Sequence, residues 1–511
     1  SGFLHGGRIV ITGDRKQKIS RRTLTADQMD EVPASFGDSV SALASMPGVI
    51  QSGGSGSLFG PLTIRGASPG SNRYYVDGMP IQYPQHFGGL HSVIGNEIIA
   101  SVDLYASAYP AQFAGDTGGI IEINTIDEVD KLSFVGDVSL LSSAAVVKTP
   151  LYKTDYSGGE PQKVKNGYLI ASGRVGYLSV LIPFFMSWQP DEELDSVPNY
   201  WDYQLKYKQQ LSVHNSIRFL FMGSKDWLDM IVTDDWMDDT IDPLLSGFEW
   251  DTDQMFHNQM VAWEYSQPKF SNTLMAYSVL PYYRNYMSLN TETASEAFKD
   301  YEVTNMPFQF TLKDSISYQW WKRHGELNSA VEYTNYRFTT RGDTMIFSES
   351  LDSNDVSNIY ADDTLVTKGS IDKTYISHSV GGYIDNRLTF GGLTFVPQLR
   401  LDYLDRAETT AVDPRGRISY EFESDTTIMA ASGLYHNFNQ INPDNFQYNP
   451  EQAADGSEIQ PERAIHNSVG VEQKLGLFTF SVEGYYNYFY DMLVQAPHYE
   501  DGTYVWAKNS G

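Results

Sequence analysis

A chain of 511 residues with 36 Lys and Arg against 64 Asp and Glu carries a formal charge of −28, which argues against nucleic acid as a partner, because phosphate binding needs a basic face. It has no Cys, so disulfides and thiolate metal sites are excluded. The longest apolar run, 177–188, falls short of the ~18 residues a membrane-crossing helix needs and is broken by Pro183, so no transmembrane helix is expected.

Residues 1–128 are Gly-rich, with short β-prone pieces and one or two helical ones. Thr25 reads as the N-cap of a short helix in 23–33 that must stop before Pro33. Residues 36–49 place Val40, Leu43 and Met46 on one helical stripe that ends at Pro47 and Gly48. Ile-Ile-Glu-Ile-Asn-Thr, 120–125, reads as a strand.

From residue 131 onward the rhythm is period two. Trp201, Tyr203, Leu205 and Tyr207 alternate with Asp202, Gln204, Lys206 and Lys208. Leu399, Leu401 and Tyr403 alternate with Gln398, Arg400 and Asp402, and 478–488 repeats the pattern. Each strand has one apolar, aromatic face and one polar face. A soluble sandwich alternates too. Connection lengths discriminate: short ones recur near 212–216, 267–271, 321–326, 390–392, 422–426 and 474–477, with long ones between them near 226–254, 290–303, 341–372 and 438–462. Short turns on one side and long loops on the other are the pattern of a transmembrane β-barrel, and a 14% aromatic content suits its interfacial girdles. For the short turns to fall on one side, 131–151 must split into two strands, which brings the count to roughly 16.

Four stretches occur in order within the first region: "MPGV" (46–49), "LTIRG" (62–66), "YYVDGMPI" (74–81) and "EIIASVDLYASAYPAQFAGDTGGIIEINT" (97–125). Together they resemble the plug domain of TonB-dependent outer-membrane receptors. The resemblance implies a large antiparallel transmembrane β-barrel, of about 22 strands in the family, occluded by an N-terminal α+β plug. It divides the chain into an arm at 1–20, a plug at 21–128 and a barrel at 129–511, in the bacterial outer membrane. The shortfall in strands carries the expectation that the protein continues beyond Gly511 by about six strands, or that another chain completes the wall, because an open sheet edge in lipid leaves backbone groups unsatisfied.

The same resemblance assigns roles. Ile9, Val10, Ile11 and Thr12 look like the TonB box, a segment recruited by strand addition to the energising complex; an ordinary first strand or flexible arm is the other reading. Arg65, Gly66, Asp77, Gly78, Gly118 and Gly119 form the plug's structural motif. Gly48, Gly66 and Gly78 suit tight turns, and Gly115, Gly118 and Gly119 let the last plug strand pass close to the wall. Arg65, enclosed in a lumen, needs carboxylate partners, with Glu264 and Glu483 as candidates. Beyond the Asp-Gly turn the chain is expected to rise to an outward loop, so that Tyr83, Gln85, His86, Phe87 and His91 line the floor of a ligand vestibule. His86 and His91 have three readings: hydrogen bonding or packing, ligand contact, or metal ligation. Their five-residue spacing, with no carboxylate between, matches no standard metal site, and no metal or cofactor is expected.

The acidic stretch 226–253 reads as a solvated loop, bridged to lipopolysaccharide by divalent ions, or as a Ca²⁺ or cationic-ligand site without the EF-hand pattern. Trp227, Trp236, Phe248 and Trp250 within it suggest a partner surface. The resulting expectation is a non-enzymatic, TonB-dependent importer of an extracellular ligand whose partners are the periplasmic TonB complex and outer-membrane lipid. The alternative is a plugged-barrel scaffold in a surface or motility assembly, holding a partner protein at its outer loops. No G-x-S-x-G, H-E-x-x-H or phosphate-cradling G-x-x-x-x-G-K motif supports a hydrolase.

Overall fold

The structure, a computed structural model, describes residues 20–32, 38–51, 61–87, 89, 91–139, 142–156, 160–177, 198–232, 248–289, 299–322, 324–347, 366–405, 408–438, 461–476, 478–494, 498–500, 503–505 and 508–510. An inner domain comes first. Its strands are β1 (Arg21–Thr25), β2 (Val49–Gln51), β3 (Leu62–Ile64), β4 (Arg73–Val76), β5 (Met79–Ile81), β6 (Gln85–His86), β7 (His91–Ser92), β8 (Ile99–Tyr105) and β9 (Ile120–Thr125). Five of them make a mixed sheet in the order β1-β8-β9-β4-β5, in which only β4 and β9 run parallel.

The one α-helix among the described residues, α1 (Ala26–Asp30), starts at Thr25, where a capping box with Gln28 is in place. The second helical stripe is a 3-10 helix, Ser41–Ser45. Val40, Leu43 and Met46 recur every third residue, which is the 3-10 period, and all three are buried. Asp38 Oδ1 fixes the start by accepting from Ser41 N at 2.7 Å.

Among the described residues fifteen wall strands follow, with four short ones after them at 492–510: β10 (Ser133–Val138), β11 (Ser142–Asp155), β12 (Gln162–Gly176), β13 (Asn199–Gln210), β14 (Asn215–Val232), β15 (Phe248–Gln267), β16 (Phe270–Leu289) and β17 (Tyr301–Trp321) come first. They continue as β18 (Gly325–Phe347), β19 (Val366–Phe390), β20 (Leu393–Leu404), β21 (Thr409–Glu421), β22 (Thr426–Asn437), β23 (Glu462–Leu475) and β24 (Phe478–Tyr490). They form one 15-stranded sheet in sequence order, where alternation gave roughly 16. The expected split of 131–151 is real, as β10 and β11. The connections after β13, β15, β17, β19, β21 and β23 are all short; on the opposite side 139–141 and 405–408 are short as well.

The alternation is inverted relative to a protein in water. On β13 Asp202, Gln204 and Lys206 are 3–4% exposed, whereas Leu205 between them is 36% exposed. On β20 Arg400 is 1% exposed and its neighbours Leu399 and Leu401 are 37% and 46% exposed. A sandwich buries its apolar face; this sheet buries its polar one and turns the apolar face outward, as a wall between lipid and a polar lumen does. The inner domain bonds to strands toward both ends of the linear order, β11 to β14 and β20 to β24, so the sheet curves around it.

Candidate functional site: the interface between inner domain and wall

Two tight turns aim the first contacts. Val76 pairs with Met79 across Asp77-Gly78, whose φ values of 49° and 88° make the mirror-image turn that Asp-Gly favours in hairpins. Arg65-Gly66 repeats this, with φ of 50° and 81° between Ile64 and Ala67. Gly118 serves differently: a Cβ there would lie 2.3 Å from Ser71 O, so the close approach is to the domain's own backbone.

The Arg65 turn sends its side chain to the wall. Arg65 Nη2 donates to Glu483 Oε1 on β24 at 2.7 Å, and its guanidinium lies 4.4 Å from the centre of the Tyr485 ring. Ser20, buried and at φ 55°, donates to the same Glu483 oxygen at 2.6 Å and accepts from Arg65 Nη1 at 3.0 Å. Glu483 is therefore the partner of Arg65. Glu264 is not; it pairs with Lys208 at 2.8 Å and Arg218 at 3.1 Å inside the wall.

Asp77 meets Lys206 at 2.9 Å and Arg218 at 3.1 Å, and it accepts from Thr125 N and Oγ1. Burial alone pushes its carboxyl up, but the two cations and these hydrogen bonds outweigh that and hold it below the usual range.

The chain then rises along β13 to β15. The Tyr83 hydroxyl bridges to the carbonyls of Ser224 and Gln254, both at 3.2 Å, and its ring stands edge-on to Phe256. Gln85 is buried against Ser41. His86, with no exposed surface, sits between two wall carboxylates: Nε2 lies 3.2 Å from Asp202 Oδ2, and Nδ1 contacts Asp226 Oδ1. Burial disfavours the charged imidazole, but Asp202 and Asp226 reverse the balance and raise His86 above its ordinary value. Phe87 N donates to Asp226 Oδ2 at 3.0 Å.

His91 is the register partner of His86 on the small β6–β7 ribbon, yet the two imidazoles serve different groups. Arg174 Nη1 lies 2.7 Å from His91 Nδ1, and burial plus this cation lowers His91. Arg174 also holds Asp202 at 2.6 Å and the Ser92 carbonyl. Among the described residues no cluster of metal-ligating side chains occurs.

A second arc lies on β20 to β24. There the segment 107–111 runs across the strands, one residue per strand. Ser107 Oγ donates to Asn487 on β24 at 2.9 Å, and Ala108 N to His466 Nδ1 on β23 at 3.3 Å. The Tyr109 carbonyl accepts from Tyr435 on β22 at 3.1 Å, and the Pro110 carbonyl from Arg415 on β21 at 2.9 Å. Ala111 N donates to Gln398 at 2.7 Å and its carbonyl accepts from Arg400 at 3.2 Å, both on β20. The returning chain reuses these groups: Phe113 O accepts from Arg415 and Thr117 O from His466 Nε2. His466 thus accepts at one nitrogen and donates at the other, as a neutral imidazole does. The Arg415 guanidinium lies between the rings of Tyr109 and Tyr435, at 4.8 and 4.1 Å.

Between the two arcs a cavity of about 800 Å³, counting its solvent-open part, separates Tyr75, Gly78, Gln112 and Gly115 from β16 to β20.

Sequence reading missed Ser20, His466, Arg400 and Arg415. Arg400 stood at an inward position of an alternating strand, a signal for facing the lumen but not for its partner. Ile9 to Thr12, Trp236 and the centre of the acidic stretch lie outside the described residues. Trp227 lies within β14, and Phe248 and Trp250 open β15, so both ends of the acidic stretch expected as loop are strand, the wall strands running on past the alternating core of the pattern.

Residues 14–120 match the TonB-dependent receptor plug domain, and 171–509 match the TonB dependent receptor-like β-barrel. The chain belongs to the TonB-dependent receptor family of the bacterial outer membrane, with the inner domain as its plug and the wall as its barrel. Solved structures share the fold at low identity. A mutant ferric enterobactin receptor (PfeA) from Pseudomonas aeruginosa is 13% identical over 96% of this chain and 76% of that one, with a TM-score of 0.65. The siderophore receptor PirA from Acinetobacter baumannii is 15% identical over 94% and 72%, at 0.65. The outer membrane transporter YddB from Escherichia coli is 11% identical over 94% and 71%, at 0.66. No curated protein sequence matches the chain.

Proposed function

We propose that this receptor imports an extracellular ligand by energised rearrangement of the plug, with Ile9 to Thr12 as the strand that the TonB complex recruits. The observation that carries this reading is the node of Ser20, Arg65 and Glu483. Ser20 is where the N-terminal arm joins the plug, so a pull on the arm reaches the plug's arginine lock through one hydroxyl.

Polar contacts along the rest of the interface support the same reading, since hydrogen bonds and ion pairs re-form with water when the plug shifts. In this proposal Tyr83, Gln85 and His86 hold the outward loop to the wall, and Phe87 and His91, which keep partial exposure, are its ligand-facing members. The ligand class is a bulky, polar compound too large for passive pores, and ferric siderophores are the first to test because several structural relatives receive them.

Uptake of ferric enterobactin and other ferric siderophores, followed in cells with and without the energising complex, is the decisive measurement. Energy-dependent uptake that disappears on deletion of residues 9–12 is the expected result. Uptake unchanged by the deletion overturns the mechanism. A stable stoichiometric partner at the cell surface, with no solute accumulated, gives the scaffold reading instead.

A further inference from the structure

The wall strands β15 to β19 run on past the plug, and toward their outer ends their polarity changes sign. At plug level the inward positions are fixed by contact. Phe256 on β15 meets Tyr83, and Tyr277, Gln309, Glu332 and Ser379 on β16 to β19 border the cavity beside the plug. Every second residue from these positions also faces in. Farther out, that rule turns inward Trp250 on β15, Met287 on β16, Tyr301 on β17, Phe338 on β18 and Tyr375 on β19.

The register joins these side chains into one surface. Trp250 lies directly opposite Met287, and Met287 directly opposite Tyr301. Phe338 lies directly opposite Tyr375. Such cross-strand neighbours stand close enough to share a contact partner.

The intervening positions face out, and there the charges collect: Asp251 on β15, Arg284 on β16, Glu302 on β17, Arg341 on β18 and Asp372 on β19. Nearer the periplasmic turns the same outward side is apolar, with Val261, Leu274, Phe310, Val331 and Val380 between 37% and 63% exposed. Polar outside and apolar inside is the arrangement of a wall in water. The outer ends therefore stand clear of the lipid, and their apolar side faces the mouth of the barrel. An apolar surface of this kind, rimmed by charge, is a contact surface.

Its chemistry restricts the partner. Among the described residues Lys373 is the one charged side chain at an inward position of this level on β15 to β19. An anionic compound would find a single cation there, and Asp229, Glu249, Asp251 and Asp253 outside β14 and β15 give the rim an acidic field on that side. Indole, phenol and thioether groups instead offer stacking and apolar contact.

We infer that this face selects the ligand, and that the substrate class is a compound presenting an aromatic or aliphatic face and carrying no net negative charge. As a substrate class it rests on the proposed import; as an apolar site it does not, and the two are tested separately.

Because the chain has no cysteine, Met287→Cys places a unique thiol between Trp250 and Tyr301, and Ser370→Cys places one on the outward side of β19. In outer-membrane vesicles carrying the full chain, each variant is treated with benzyl, sulfonatoethyl and trimethylammonioethyl methanethiosulfonate. Rates are corrected for reaction with a free thiol. In Met287→Cys the benzyl reagent is expected to lead both charged ones by about tenfold or more, and in Ser370→Cys the three are expected within about threefold of one another. A lead below about threefold in Met287→Cys overturns the apolar site. So does a thiol there that reacts only after denaturation, because the face is then covered by the protein itself. An equal benzyl lead in Ser370→Cys overturns the change of polarity.

For the substrate class, energised uptake is compared for two ferric chelates, a neutral trihydroxamate and a trianionic triscatecholate. The neutral chelate is expected to lead by about tenfold or more. Trp250→Ala is expected to reduce its uptake about tenfold and Trp250→Phe to keep it, with both variants sharing the parent's heat-shifted gel mobility. A lead for the trianion overturns the substrate class. Uptake of neither chelate counts against the import proposal and leaves the thiol result to decide the apolar site.

Discussion

Along β20 to β23 the barrel holds the plug by its main chain, and along β12 to β14, as at the Arg65–Glu483 pair on β24, it holds it mainly by side chains. Along β20 to β23 Tyr435, Arg415, Arg400 and His466 bond to carbonyls of residues 109 to 117. Along β12 to β14 Asp77, His86 and His91 meet Lys206, Arg218, Asp202, Asp226 and Arg174. A grip on carbonyls tolerates change in the plug sequence and ignores pH. A grip on charged side chains depends on both. The plug is therefore held by one contact set insensitive to conditions and by another that responds to them, and the arms of this comparison separate experimentally.

The largest effect is expected at the Arg65–Glu483 node on β24, a side-chain contact beside the main-chain grip. Arg65 and Glu483 are 6% and 10% exposed, and removal of one member of a buried pair strands the other. Glu483→Ala is expected to lower the opening free energy of β1 by about 3–5 kcal/mol in native-state hydrogen exchange. Glu483→Gln, which keeps an acceptor for Ser20, is expected to cost less. Equal protection in Glu483→Ala and the parent removes the node from the account of how the plug is held.

Arg415→Lys probes the main-chain grip directly. Lysine keeps the charge but loses the fork that reaches Pro110 O and Phe113 O together with the stacking on Tyr109 and Tyr435. A loss of about 2 kcal/mol is expected in exchange protection of 107–117, the same at pH 6 and pH 8. A pH-dependent loss breaks the contrast between the arcs.

Legibility in the sequence follows the same division. Period-two alternation revealed the wall strands and which side chains turn inward, because a strand's two faces are fixed by local geometry, and the side on which the short turns fall revealed the β10–β11 split. Motif order revealed the plug, because turns such as Asp77-Gly78 carry their conformation in their residue types. Pairing between plug and wall was only half legible. Glu483 and Glu264 were equally good inward carboxylates, and the choice between them depends on barrel shear and on where the Arg65 turn points, neither of which is a local property. The 107–111 segment was invisible for a related reason: it is recognised through backbone groups, which every residue has. The helical stripe of Val40, Leu43 and Met46 was legible but its type was not, because a three-residue repeat fits one face of an α-helix and a 3-10 helix alike over so short a span.

The side-chain grip is expected to show its pH dependence at His86. Its value is raised in the folded receptor above the ordinary 6.5 by Asp202 and Asp226 against the cost of burial. The stability it contributes is therefore complete below pH 6.5 and is lost as pH rises through the elevated value. Plug protection at β6 and β7 is expected to decline over that range in the parent, and His86→Gln is expected to abolish the decline. A decline that persists in His86→Gln assigns the pH response to other groups.

The smallest effect belongs within the plug sheet, where neither grip acts. Glu122 on β9 lies directly opposite Asp103 on β8. Asp103 is already satisfied by Arg21 at 2.9 Å and Asn124 at 3.1 Å, so Glu122 takes the burden of the like-charge pair. Burial first, and Asp103 second, push it from an ordinary value near 4.5 up to about 7. A carboxyl raised in this way favours folding while it is protonated, and that advantage disappears as pH climbs from 4.5 through about 7. Glu122→Gln is nearly the same shape and never ionises. It is expected to stabilise the β8–β9 pair by about 1 kcal/mol at pH 8 and to leave it unchanged at pH 4. Because β9 joins both arcs through the chain on either side of it, a gain at pH 8 that also slowed plug opening at β6 and at 107–117 would show the sheet transmitting between the two grips, and a gain confined to β8 and β9 would show them acting independently.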